Sequence, residues 1–244
     1  MRILAFGDIH DHLRPLPEIF TFADKMGISC VLITGDFGAE DHSVRFVSDL
    51  LGKYGLRGIA VYGNHEPKMV ISSKDRGLRV GCLRILRLGE VIEYRDLRIL
   101  GICGNRGSGK KWSHWRDGQI LKILDGLFDQ KIDIILAHEM PLGLADICRG
   151  TKSCGQQVLR ILVERLRPKL YIGGHLHTIP QYAQHNNTLV LKIGGISNRG
   201  ALGSVSFFSI IDMDNMGITA HSYKYTMGKI EQIWTVKTTS TQES

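Results

Sequence analysis

The chain has 244 residues, 43% hydrophobic and 23% charged, a balance that supports a sizeable buried core and excludes a disordered or fibrous protein. No apolar run approaches the roughly 20 residues of a spanning helix, and the apolar start meets Asp8 too soon for a signal peptide, so a soluble, cytoplasmic protein without membrane attachment is expected. The formal charge of +7, with much of the excess between Lys74 and Arg116, suits an anionic partner, while the scattered cations and few aromatics do not indicate a dedicated nucleic-acid surface.

Apolar runs at Ile3–Phe6, Cys30–Ile33 and Ile59–Tyr62 read as buried strands, and helical patterns at Leu16–Lys25 and Ser43–Tyr54 fill the gaps between them. This alternation predicts a parallel sheet with helical crossovers. Asp8, Asp36 and Asn64 follow the three strands at intervals of 28 residues, the length of one βαβ unit. Beyond Asn64 the pattern changes, and Leu83–Leu88 and Val91–Tyr94 are expected to pair antiparallel around Gly89. Buried strands follow at Ile99–Cys103, Ile132–Ala137 and Leu170–Ile172, with helices at about Gln119–Phe128 and Gln156–Arg165, the latter stopped by Pro168. Leu189–Ile193, Val205–Ile211 and Ile218–Tyr223 read as further strands. No linker or repeat divides the chain, so one domain over 1–232 is expected, with a frayed Thr/Ser-rich tail over 233–244. The five cysteines form no CxxC pair and are expected as reduced, packed thiols, Cys148 and Cys154 included, although their spacing would close a small loop.

Five polar clusters end the apolar runs: Gly7-Asp8-Ile9-His10, Gly35-Asp36, Gly63-Asn64-His65-Glu66, Ala137-His138-Glu139 and Gly174-His175-Leu176-His177. Singly, a strand-end Asp is usually a cap and a lone His a surface or core residue. Together they bring two aspartates, one amide and five imidazoles to the carboxyl ends of strands, where α/β sheets bind ligands. Glycine before Asp8, Asp36, Asn64 and His175 would permit sharp turns that aim the next side chain outward. The set lacks thiolate, suits Mn, Fe or Zn, and is large enough for two ions.

These blocks, in this order from Asp8 to His177, resemble the calcineurin-like metallophosphoesterase superfamily. His138-Glu139-Met140-Pro141 through Asp146, Gly150 and Gly155 to Gly174-His175 is similar to its small prokaryotic, phosphodiesterase-like branch. The resemblance implies an α/β fold of four layers, an α/β/β/α sandwich of two mixed β-sheets flanked by helices, with a dinuclear metal site at the C-terminal ends of strands. It implies Asp8, His10, Asp36 and His177 around one divalent ion and Asp36, Asn64, His138 and His175 around the second, with manganese expected and iron or zinc as alternatives. Asp36 would bridge, a metal-bridging hydroxide would attack phosphorus in line, and His65 would face the substrate as the catalytic residue. Glu66 and Glu139 are candidates to support the ligands, or serve as caps.

The implied activity is metal-dependent hydrolysis of a phosphate-ester substrate, with phosphodiesters favoured. The protein-phosphatase branch expects Gly-Asp-x-Val-Asp-Arg-Gly, where this chain reads Gly35-Asp36-Phe37-Gly38-Ala39-Glu40, and an arginine where Tyr62 stands. The alternatives are a phosphomonoesterase, a nuclease of small or single-stranded substrates, and a catalytically silent metal-binding scaffold for protein interaction. Gly104-Asn105-Arg106-Gly107-Ser108-Gly109-Lys110 has P-loop spacing, but Lys111 replaces the required Ser or Thr, so a basic loop is expected. Arg106 and Lys110, with Trp112 and Trp115, are candidates for substrate contact there.

Overall fold

The computed structural model describes residues 1–127, 129–197 and 205–239. The chain runs β1 (Arg2–Phe6), α1 (Leu16–Lys25), β2 (Cys30–Ile33), α2 (Asp41–Lys53), β3 (Gly58–Ala60), α3 (Lys68–Ile71), β4 (Leu78–Val80), β5 (Leu83–Ile85), β6 (Val91–Tyr94) and β7 (Leu97–Ile102). The short β8 (Asn105–Arg106) and β9 (His114–Trp115) follow, then α4 (Asp117–Gly126), β10 (Ile134–Ala137), β11 (Ile147–Arg149), β12 (Lys152–Ser153) and α5 (Gln157–Leu166). The last third is β13 (Leu170–Gly173), β14 (Gln181–His185), β15 (Thr188–Lys192), β16 (Val205–Asp214), β17 (Gly217–Thr226) and β18 (Lys229–Thr239).

Two mixed sheets are formed, with strand orders β18-β17-β16-β1-β2-β3-β5-β4 and β14-β15-β13-β10-β7-β6. Their centres are parallel. Ile3 to Phe6 align with Cys30 to Ile33, and Ile33 aligns with Ala60 in the first sheet. In the second, Ile134 aligns with both Ile99 and Leu170. The period of two along β10 shows the layering: Ile134 and Leu136 enter the core shared with the first sheet, while Ile135 and Ala137 pack with Ile120 of α4 and Leu159 and Leu162 of α5. On the other side α1 buries Leu16, Ile19, Phe20 and Ala23, one stripe of a 3.6-residue repeat. The result is the expected α/β architecture of mixed sheets flanked by helices.

Three expectations need correction. The runs on either side of Gly89 do not pair with each other. β5 joins the first sheet beside β3 and β6 joins the second beside β7, because Leu83 and Ile85 are fully buried and find their apolar neighbours next to β3. The tail expected from residue 233 is instead the second half of β18, which pairs with β17 through Thr239; 240–244 lie outside the described residues. Cys148 and Cys154 are joined as a disulfide with Cα atoms 5.9 Å apart, because the β11–β12 hairpin brings its two ends together; Cys30, Cys82 and Cys103 are free. No helix among the described residues is long and apolar enough to cross a membrane.

Candidate metal centre

The strand alignment brings the clusters to one edge of both sheets. Asp8 and His10 leave β1, Asp36 leaves β2, and Asn64 and His65 leave β3; His138 leaves β10, and His175 and His177 leave β13. Backbone bonds lock these loops: the N–H of Asp8 donates to Gly35 O at 2.8 Å, and the N–H of His138 to Ile102 O at 3.0 Å. Across the sheets, the His175 N–H donates to the Asp8 carboxylate at 3.0 Å.

The donors fall into two groups that share one residue. Oxygen and nitrogen atoms of Asp8, His10, Asp36 and His177 lie within 4.8 Å of one another, as do those of Asp36, His138 and His175. In the first group His10 Nε2 stands 3.0 Å from His177 Nε2, and His177 Nε2 is 3.2 Å from Asp8 Oδ1. In the second, His138 Nε2 stands 3.1 Å from both Asn64 Oδ1 and His175 Nδ1. Asp36 divides its oxygens between them: Oδ2 is 3.4 Å from His10 and Oδ1 is 3.5 Å from His138. Oδ2 is buried without a hydrogen-bond partner. A buried carboxylate oxygen without a donor is costly, and so many imidazole nitrogens turned on one another repel unless something electrophilic lies between them. The residues therefore fit a pair of divalent cations in an N/O environment.

Neighbouring groups hold the donors in place. The other His138 nitrogen, Nδ1, lies 2.8 Å from Thr34 O; donating its proton there leaves Nε2 as the lone-pair atom facing the site. Asp36 Oδ1 accepts the N–H groups of Asn64 and His65 at 2.7 and 2.8 Å. Burial would raise the Asp8 carboxyl, but the hydrogen bond and charge of His177, with His138 and His10 nearby, hold it down at about 2. Burial, reinforced by His138, pulls the His175 imidazole down to about 4, the neutral form that metal binding would require.

Glycine freedom explains less than expected. Of the four glycines before the candidate donors only Gly35 has positive φ, 96°; the donors themselves, Asp8, His10, Asp36, His175 and His177, adopt left-handed backbone with φ between 40° and 69°. Such conformations persist where the surroundings over-determine them, as at binding sites. Gly63 serves close approach, since a Cβ there would lie 2.1 Å from Asp36 Oδ1 and 2.5 Å from His138 Cε1.

His65 belongs to neither group. It is exposed and lies on the open side, its ring 5.2 Å from that of His10. Arg106 is turned away from that role: its guanidinium is held by Asp117 at 2.7 and 2.9 Å, while its backbone N–H donates to Glu139 at 2.9 Å. Lys110 is exposed in the following loop.

Two carboxylates left open by the sequence acquire definite contacts. Buried Glu66 accepts the N–H groups of Asp36, Gly63 and Phe37 at 2.7, 2.6 and 3.0 Å, joining the β2 and β3 loops. Burial and the charge of Asp36 push its carboxyl up. Burial likewise pushes Glu139 up to about 7, against the Arg106 N–H, and its Oε1 lies 3.9 Å from His175 Nε2. The backbone contact of Thr34 carries no sequence signal at all, because a carbonyl belongs to every residue.

Comparison with known proteins speaks to the family and the fold. A family model for the calcineurin-like phosphoesterases matches residues 1–178. A lariat debranching enzyme of Schizosaccharomyces pombe is 23% identical over 238 residues, covering 77% of this chain and 50% of that protein, so the chain spans about half the relative's length. A dimetal phosphatase from Danio rerio superposes with a TM-score of 0.66 at 11% identity, covering 98% of each chain. An archaeal phosphodiesterase superposes at 0.53 and 15% identity, covering 96% of this chain and 100% of that one; at such identities both likenesses speak to the fold.

Proposed function

The chain belongs to the calcineurin-like phosphoesterase family, and on that footing we propose that its paired site hydrolyses phosphodiesters with two divalent ions, manganese first among them. The observation that carries this reading is the division of Asp36 between two donor groups, with one oxygen toward each. Asp8, His10, Asp36 and His177 would hold one ion, and Asp36, Asn64, His138 and His175 the other. Two such ions, when bound, supply Lewis-acid polarisation of phosphoryl oxygens and an activated water.

The chain's own residues do the rest. The Asp36 carboxylate, fixed by the N–H groups of Asn64 and His65, keeps both donor groups in register. The carbonyl of Thr34 sets the His138 tautomer. His65, exposed beside His10, would give a proton to the departing ester oxygen. Preference for diesters is supported by Tyr62, which leaves no cation at that position to grip a doubly charged phosphate, and by the similarity to a lariat debranching enzyme.

Metal-stripped protein assayed on bis-p-nitrophenyl phosphate and p-nitrophenyl phosphate, with and without added Mn²⁺, tests the reading. Metal-dependent turnover that is faster on the diester is expected. Faster monoester hydrolysis would overturn the diester preference, and silence on both with two ions bound per chain would overturn catalysis in favour of a scaffold.

A further inference from the structure

In the first donor group His177 is the least enclosed member. Its side chain is 27% exposed, against 5% or less for Asp8, His10 and Asp36. Its backbone is left-handed, with φ 40°, a conformation that persists only where the surroundings hold it. The holding groups lie one residue further on. The Thr178 hydroxyl donates to Ile147 O at 3.3 Å and accepts from the ammonium of Lys192, which also donates to Ile147 O at 2.9 Å. Gln181 brackets the same residue: its Oε1 accepts the Ile147 N–H at 3.2 Å and its Nε2 donates to Ile147 O at 3.1 Å. Gln181 and Lys192 are opposite each other in register on β14 and β15. Ile147 is itself pinned on both flanks. Asp146 accepts the N–H groups of Gly143 and Gly155 at 3.0 and 2.9 Å and the Ser153 hydroxyl, and Cys148 is joined to Cys154. None of these residues belongs to either donor group.

A buried ammonium is expensive, and Lys192, 1% exposed, makes no ion pair among the described residues. An apolar side chain of the same length would fill the space without that cost, so packing alone does not account for a lysine here. What the ammonium adds is a simultaneous grip on the Thr178 hydroxyl and the Ile147 carbonyl, which ties the loop after β13 to the stapled β11–β12 hairpin. We infer that Lys192 and Thr178 are positioning residues for the first ion, holding the His177 backbone so that its imidazole stays with Asp8, His10 and Asp36. The second group does not depend on this grip. His175, earlier in the same loop, has its own anchor in the bond from its N–H to the Asp8 carboxylate at 3.0 Å. The inference rests on the two-ion reading and is tested without turnover.

Metal-stripped protein titrated with Mn²⁺, the free ion being read by electron paramagnetic resonance, is the test. The wild-type chain is expected to bind two ions. Thr178→Val keeps the shape of the side chain and removes its hydroxyl; it should weaken one ion about 10–100-fold, the range for groups that orient metal ligands, and leave the other unchanged. Thr178→Ser restores the hydroxyl and should recover most of the loss. Lys192→Met should show the same selective weakening, and it reaches the loop from β15 if Thr178→Val folds poorly. A residue that only steadies the fold would lower the melting temperature without separating the two affinities. Both affinities unchanged in the variants, equal weakening of both, or Thr178→Ser as weak as Thr178→Val would each overturn the inference while leaving the two-ion reading in place. Fewer than two ions on the wild-type chain would overturn that reading and this inference with it.

Discussion

Asp36, Glu66 and His65 lie within a few ångströms of one another yet carry separable tasks. Asp36→Asn removes the negative charge shared by both donor groups, so metal content should fall at both positions. His65→Ala leaves every donor in place; metal content should stay near normal while turnover falls about 10²-fold or more, the contribution of a general acid. Elemental analysis beside turnover on bis-p-nitrophenyl phosphate separates the two, and metal loss in His65→Ala would assign that histidine to the ligand set. Glu66→Gln is subtler. One of the oxygens that accept the Asp36, Gly63 and Phe37 N–H groups becomes a donor facing donors. Metal affinity should then drop about 10–100-fold, as for other groups that orient ligands, read by competition with a chelator.

At the level of elements, the sequence carried β1 to β3, α1 and α2 almost to the residue, because each is a pure apolar run or a clean helical stripe between turn residues. The candidate donors stood out for the same reason: each follows the buried end of a parallel strand. The Gly89 crossing was not legible, since a short antiparallel hairpin and a switch between sheets share one local pattern and differ only in distant partners. The β11–β12 hairpin was hidden likewise. It is fixed from outside by Lys192 of β15, whose buried ammonium donates to Ile147 O at 2.9 Å and to the Thr178 hydroxyl beside His177. Burial, opposed by Asp146, pulls that ammonium from 10.5 down to about 8. Between these values the unfolded chain binds the extra proton, so stability due to Lys192 rises with pH through that window and the penalty of the buried charge is full below it. Melting temperatures of wild type and Lys192→Met, measured from pH 7.5 to 10.5, should diverge progressively in favour of wild type above about pH 8. A constant offset would show that Lys192 keeps its ordinary basicity in the folded chain.

For the molecule as a whole, what matters is that neither sheet owns the candidate metal centre. Asp8, His10, Asp36 and Asn64 hang from the first sheet, and His138, His175 and His177 from the second. The two edges meet there through His175 N–H to Asp8, His177 to Asp8, His138 to Thr34 O and His138 to Asn64, while imidazoles crowd one another across the gap. Ions bound between them would replace that crowding with attraction and act as a cross-link between the layers. By mass action a ligand at 100 times its Kd stabilises the folded state by about 2.7 kcal/mol. At roughly 2–4 °C per kcal/mol for a chain of this size, saturating Mn²⁺ should raise the melting temperature by about 5–10 °C. Asp36→Asn should abolish most of that rise, because it loosens both positions at once, whereas His65→Ala should keep it. A melting temperature indifferent to Mn²⁺ in the wild-type chain, at concentrations that support turnover, would mean that the ions do not favour the folded chain over the unfolded one, and the cross-link would be excluded.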